Sequence, residues 1–224
     1  MVWPIPRREI RRQYRSKQPK DNSIRPMFDV AAFILVGGAS SRMGRDKSQL
    51  RFGERTSTQI IAAELQSVAR SVMTVGTPAV IDGDLVNIPD SRPDWGPLAG
   101  IHAALGHARS EYGLIVACDF PLVTSQLFAR LLQTMKEADA LVPLQRDGRI
   151  QPLCSVYRCS PGLRAATEAI DRGEHSPRAM LDRLSVRYAS FNELSDLEGS
   201  EYFFYNVNTP DNYERAKQIF QSRR

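Results

Sequence analysis

Residues 33–48 read FILVGGASSRMGRDKS: a short apolar run, a glycine pair, then cationic side chains set among small and polar ones. The apolar run and the glycines read as one unit. AAFILV (31–36) is short, continuous in hydrophobicity and closed by glycine, the pattern of a strand buried on both faces of a parallel sheet. Ligands of such sheets sit at the carboxyl ends of the strands, where this loop begins. Gly37 and Gly38 allow a sharp turn and bring bare N–H groups close to an anion, and Arg42 and Lys47 add positive charge suited to a polyphosphate. The spelling fits neither common phosphate loop. The third glycine is misplaced for a dinucleotide fingerprint, and Arg45 and Asp46 separate Gly44 from Lys47, which a Walker loop does not allow. Taken alone, the loop reads rather as a structural turn with a solvated run of charge, and only the rest of the chain changes that.

Working outward, strand-like and helix-like runs alternate from residue 28 onward. SVMTVG, LVNIP, LIVAC, ALVPL, CSVYR, VRYASF and FFYNVN read as strands. Helices are expected after Thr56–Thr58, over GIHAALGHA, and over TSQLFARLLQTM, where Leu127, Phe128, Leu131, Leu132 and Met135 share one face. Further helices are expected around LRAATEAI, after Ser176-Pro177 and after Thr209-Pro210. The alternation predicts an α/β fold, Rossmann-like, with a mostly parallel sheet and helices on both faces.

The chain has 224 residues, with 42% hydrophobic and 25% charged, enough for one well-filled core and unlike disordered or fibrous compositions. Its formal charge is +5, but residues 1–26 hold eight Arg and Lys against Glu9 and Asp21, a balance of +6, which leaves the rest at −1. The excess is therefore confined to a polar N-terminal arm (1–27) ahead of a domain spanning 28–224, and nucleic-acid binding by the body is disfavoured. No apolar stretch is long enough for a membrane span. Cys118, Cys154 and Cys159 have no paired spacing, which points to a reducing, cytoplasmic setting. His102 and His107 are five apart, which does not align them on a helix as metal ligands.

Beyond the loop, five blocks occur in order: LVGGASSRMGRDK (35–47), DSRPDWGPLAGIHAAL (90–105), ACDFPLV (117–123), DALVPLQ…QPLCSVYR (139–158) and NVNTPDNY (206–213). They resemble the nucleotidyltransferases that activate molybdopterin, whose first signature is LAGG-x-S-x-RMG-x-DK. The GPLAG and NVNTP blocks are similar to the molybdenum cofactor guanylyltransferase branch. The resemblance implies transfer of GMP from GTP to the phosphate of molybdopterin, with Mg²⁺ and release of pyrophosphate. It implies GTP contacts at Leu35, Val36, Gly37, Gly38, Lys47, Asp90 and Asp119, with Lys47, Arg42 and Asp119 carrying the chemistry and Asp119 holding Mg²⁺. Gly96, Gly100, Asn206 and Asn208 fall on the pterin side, and hand-over of the product to molybdoenzymes or their chaperones is implied. Many relatives carry an asparagine on the second strand that contacts the nucleotide; TVG (74–76) stands there in this chain. Two other readings remain: a related enzyme using CTP or another acceptor, and a non-catalytic nucleotide-binding module.

Overall fold

The computed structural model describes residues 28–37, 47–77, 84–90, 92 and 95–223. The N-terminal arm and most of the glycine-rich loop, including Gly38 and Arg42, lie outside the described residues.

Strand β1 (Val30–Val36) is the centre of the fold. Its alternate side chains separate across the sheet as a two-residue period requires. Val30, Ala32, Ile34 and Val36 enter one apolar cluster, and Ala31 and Phe33 enter another. β4 (Ser71–Gly76) and β6 (Tyr112–Ala117) pair with β1 in parallel on either side, and β5 (Val86–Ile88) extends the sheet beyond β4. The short strands β2 (Arg51–Phe52) and β3 (Arg55–Thr56) form a separate hairpin, turned at Gly53 with φ 68°.

In the second half the chain passes through β7 (Ala140–Pro143), β8 (Cys154–Arg158) and β9 (Val186–Ala189). The seven-stranded order is β5-β4-β1-β6-β8-β7-β9. β8 runs antiparallel to both β6 and β7, while β7 and β9 are parallel. A connection with no helix joins β7 to β8, and strands joined so directly run antiparallel, whereas parallel neighbours need a crossover. The sheet is therefore mostly parallel with a mixed edge.

Helices cover both faces. α1 (Ser57–Gln66) and α3 (Ser125–Thr134) bury Ile61, Leu65, Leu127, Phe128 and Leu131 on the face with Ile34. α2 (Pro97–His107), α4 (Cys159–Asp171) and α5 (Pro177–Leu181) bury Leu98, Ile101, Ala166, Ala169 and Met180 on the face with Phe33. The expected caps are present: Thr56, Thr124, Ser176 and Thr209 each accept a backbone N–H of the first turn, and Thr56 with Gln59 completes a capping box. α6 (Pro210–Ser222) closes the chain and contributes Ala216 and Ile219 to a third small cluster with Leu50, Phe52, Ile60, Leu122 and Val207.

One strand expectation fails. FFYNVN (203–208) is not a strand: a 3₁₀ turn at Ser200–Tyr202 leads into it, and Tyr205 N–H bonds back to the Tyr202 carbonyl. Phe203 and Phe204 both enter the cluster on the Ile34 face rather than alternating between two faces. Phe191, expected to continue β9, instead opens a 3₁₀ turn held by a Ser190–Glu193 capping box. No helix among the described residues is long and apolar enough to cross a membrane.

Candidate active site

The site is built where β1, β4 and β6 end together. β1 gives way to Gly37 at φ 89°, and β4 ends on Gly76 at φ 124°. A Cβ on Gly76 would stand 1.9 Å from the Val36 carbonyl oxygen, and one on Gly37 would stand 3.0 Å from the Thr77 carbonyl oxygen. The two exits are packed backbone against backbone, which only glycine permits. Asn87 of β5 braces this junction. Its Oδ1 accepts from Thr74 Oγ1 at 2.9 Å, and its Nδ2 donates to the Gly76 carbonyl at 3.2 Å.

The described chain resumes at Lys47, the first residue of a 3₁₀ turn. Buried Ser48 offers its carbonyl to Thr58 Oγ1 at 3.0 Å, and Leu50 is buried in the third cluster, so the base of Lys47 is anchored to α1. Asp119 comes from the other side. The ladder runs one residue past β6, with Cys118 N–H donating to the Leu35 carbonyl at 3.0 Å. Ser57 Oγ donates to the Cys118 carbonyl at 2.5 Å, and Phe120 N–H turns back to Ala117. The chain then leaves through Pro121, and the Asp119 side chain stays at the rim of the sheet.

Lys47 Nζ and Asp119 Oδ2 are 3.5 Å apart, with side chains only 22% and 17% exposed. The same ammonium donates to Asn208 Oδ1. Val207 N–H donates to the Asp119 backbone carbonyl at 3.0 Å, which docks the 206–208 segment on the end of β6. Burial holds the Asp119 carboxyl above the ordinary carboxylate range, against the opposing pull of Lys47 and of the Asn206 side chain. Asp119 Oδ1 and Asn206 Oδ1 are both buried with no hydrogen-bond partner. An unmet buried acceptor costs roughly 1–3 kcal/mol, and more when charged, so this pair of oxygens calls for a ligand.

The remaining expected positions are arranged around this centre. Leu35 and Val36 form the end of β1. Gly100 is buried in α2, where a Cβ would meet Leu35 Cδ2 at 3.4 Å, so it sets the approach of α2 to β1. Gly96 is the N-cap of α2 at φ 73°, with no side-chain cap. Asp90 follows β5, and its Oδ1 accepts the Arg92 N–H at 3.3 Å. Thus Lys47, Asp119, Asn206 and Asn208 form one group, with Asp90 and Gly96 placed around the N-terminal end of α2.

Residues around that end were not anticipated. Trp95 stacks on His175 at 4.2 Å between centroids and 28° between planes, and the Arg92 guanidinium lies 4.7 Å over Trp95. A tryptophan just before GPLAG was the available signal. His102, on α2, has its pKa lowered by burial and then by Arg92, with Asp171 and Asp90 opposing.

The residues fit a hard divalent cation. Mg²⁺ prefers oxygen donors and commonly uses one or two carboxylates together with substrate phosphates and water. The unmet oxygens of Asp119 and Asn206 are of that kind. Among the described residues no group of three or more His, Cys, Asp or Glu could hold a metal by itself.

Residues 32–188 match the family described as MobA-like NTP transferase domain. The chain is 32% identical over 197 residues to a probable molybdenum cofactor guanylyltransferase of Carboxydothermus hydrogenoformans, covering 87% of this chain and 98% of that protein. It is 33% identical over 202 residues to the probable molybdenum cofactor guanylyltransferase of Pelotomaculum thermopropionicum, covering 88% and 97%. Among solved structures, molybdopterin-guanine dinucleotide biosynthesis protein A from Archaeoglobus fulgidus superposes with a TM-score of 0.73 at 25% identity, covering 86% of this chain and 99% of that one. The fold is also that of 2-C-methyl-D-erythritol 4-phosphate cytidylyltransferase from Thermus thermophilus, with a TM-score of 0.64 at 16% identity, covering 86% and 99%. Strand exits that meet on paired glycines, a half-buried lysine–aspartate pair at their end and this span of similarity lead to one conclusion: the chain belongs to the MobA-like nucleotidyltransferase family and is a transferase.

Proposed function

We propose that this transferase moves GMP from GTP to the terminal phosphate of molybdopterin and releases pyrophosphate, using Mg²⁺. The observation that carries the reading is the Lys47–Asp119 pair at the joined ends of β1 and β6, with a buried carboxylate oxygen left unmet. The names of the relatives at 32–33% identity support guanine and molybdopterin as the substrates.

In this reaction an oxygen of the molybdopterin phosphate attacks the α-phosphorus of GTP, and the bond from that phosphorus to the pyrophosphate oxygen breaks. The attacking phosphate is ionised near neutral pH, so no general base is needed. The difficulty is electrostatic, because two anions must meet in line. Lys47, held by Asn208 and Asp119 where β1 and β6 end, offers its ammonium to offset that charge. The Gly37 turn brings backbone close to the leaving phosphates. Asp119 and Asn206 would hold the cation. Bound there, Mg²⁺ supplies charge neutralisation at the phosphate oxygens. Gly38 and Arg42 are assigned to the same phosphates.

The test is direct: incubate the protein with molybdopterin, Mg²⁺ and each nucleoside triphosphate in turn, and follow pyrophosphate and the dinucleotide product. GTP should support turnover well above CTP or ATP. Equal or greater turnover with CTP would assign the protein to cytidylyl transfer.

A further inference from the structure

Arg223 follows α6 and is not one of the residues gathered around Lys47, yet it touches both segments that build the site. Its Nη1 donates to the Leu122 carbonyl at 3.1 Å and its Nη2 to the Gly199 carbonyl at 2.8 Å, while the guanidinium sits 5.1 Å over the Tyr202 ring. Leu122 belongs to the turn that carries Asp119, closed by Phe120 N–H on Ala117 and Val123 N–H on Phe120. Gly199 opens the 3₁₀ turn that leads to Asn206 and Asn208. Gly199, at φ 74°, makes room for the contact: a Cβ there would overlap Nη2 and stand 2.5 Å from Cζ. The backbone that presents the guanidinium is firm, because α6 packs Ala216 and Ile219 into the third cluster beside Leu122 and Val207. Near the site the same two segments are tied by Val207 N–H on the Asp119 carbonyl at 3.0 Å. A planar guanidinium bonded to one carbonyl of each segment fixes their spacing at the far end.

We infer that Arg223 is a positioning residue for the transfer: its guanidinium ties the Asp119 turn to the 199–208 segment and so keeps Asp119, Lys47 and Asn208 in register. This rests on the reaction given under Proposed function. It makes the end of α6 part of what shapes the site, although no atom of α6 need touch a substrate.

The test compares the full-length wild type with Arg223→Ala, Arg223→Lys and Gly199→Ala. Pyrophosphate release from GTP and molybdopterin is measured at a temperature where melts show each protein folded. Arg223→Ala should lose roughly 10- to 100-fold in kcat, the scale of a displacement of about 1 Å at reacting groups. Arg223→Lys should fall between, since a point charge cannot span both carbonyls. Guanidinium chloride, far below its unfolding range, should restore part of the activity of Arg223→Ala, whereas a variant that is only less stable would be weakened further by a denaturant. Gly199→Ala pushes the guanidinium aside, so its effect on kcat should not add to that of Arg223→Ala, with Gly148→Ala as the control for backbone strain alone. Hydrogen exchange read by mass spectrometry is independent of activity: in Arg223→Ala the amides of 119–123 and 199–208 should exchange faster while those of β1 and β4 keep their protection. Unchanged kcat in folded Arg223→Ala, or faster exchange spread evenly over the chain, would overturn the inference. If the wild type itself releases no pyrophosphate from GTP, the reaction reading fails, and the exchange result alone decides whether Arg223 ties the two segments.

Discussion

Lys47 Nζ lies 3.5 Å from Asp119 Oδ2 at the point where β1 and β6 end, and the same ammonium is held by Asn208. Three distant parts of the chain therefore converge on one charge. The phosphate loop ends in it, the central strand faces it, and the segment before α6 fixes it.

Lys47→Ala should weaken GTP binding and slow transfer together, because the ammonium meets phosphate charge in both ground and transition states. Removing a charge-assisted contact costs roughly 1.5–3 kcal/mol, or about 10- to 150-fold. Equilibrium titration with GTP alongside kcat/KM measures both effects.

Asn208→Ala should act through the lysine. Freed from Asn208 Oδ1, the ammonium is less well placed, and KM for GTP should rise several-fold while Mn²⁺ affinity stays near the wild-type value. A nucleotide titration paired with Mn²⁺ binding separates this role from that of Asn206.

Gly76→Ala tests the joined strand exits. The new methyl would meet the Val36 carbonyl at 1.9 Å with φ at 124°, so the backbone of β1 or β4 must shift. A cost of about 3 kcal/mol or more is expected, which at 2–4 °C per kcal/mol lowers Tm by roughly 6–12 °C. Gly148→Ala is the control. It also has positive φ, at 81°, but nothing lies within 4 Å, so only the conformational cost of about 1–2 kcal/mol applies. Thermal melts of the two variants should rank accordingly.

The buried thiols make stability depend on alkaline pH. Burial pushes Cys159 from 9.0 up to about 11 and Cys154 higher still. Both stay protonated in the fold while the unfolded chain ionises. Their contribution is full below the free thiol value and is lost as pH rises through the folded values. Unfolding free energy should therefore fall from about pH 9 upward, and Cys154→Ala should flatten that fall in denaturant titrations across pH.

Much of this was legible in local sequence. β1 could be read because an apolar run closed by glycine leaves few alternatives, and the caps at Thr56, Thr124 and Thr209 follow from side-chain chemistry next to a helical pattern. FFYNVN misled because its aromatics are apolar for a different reason: both fill one cluster rather than alternate. The β2–β3 hairpin was missed because Arg51–Thr56 offers only two paired residues on each side of its turn. At the site, Lys47 and Asp119 could be named from motif and strand position. Their contact with each other and with Asn208 could not, since it depends on how α6 and its preceding segment dock. The Thr74–Asn87 brace was equally hidden, because it is set by the register of β4 on β5.

The central claim is that Asp119 serves a cation and not the fold, and Asp119→Asn tests it most directly. Burial raises this carboxyl, so its stabilising contribution is present at acid pH and lost as pH rises through the folded value. Neutral asparagine of nearly equal volume should then melt at or above the wild-type temperature near neutral pH. Pyrophosphate release across a Mg²⁺ series should meanwhile fall by on the order of 10³-fold, a barrier change of about 4 kcal/mol, with GTP binding largely kept through Lys47 and the glycine turn. Near-normal pyrophosphate release from a normally folded Asp119→Asn protein would contradict the account.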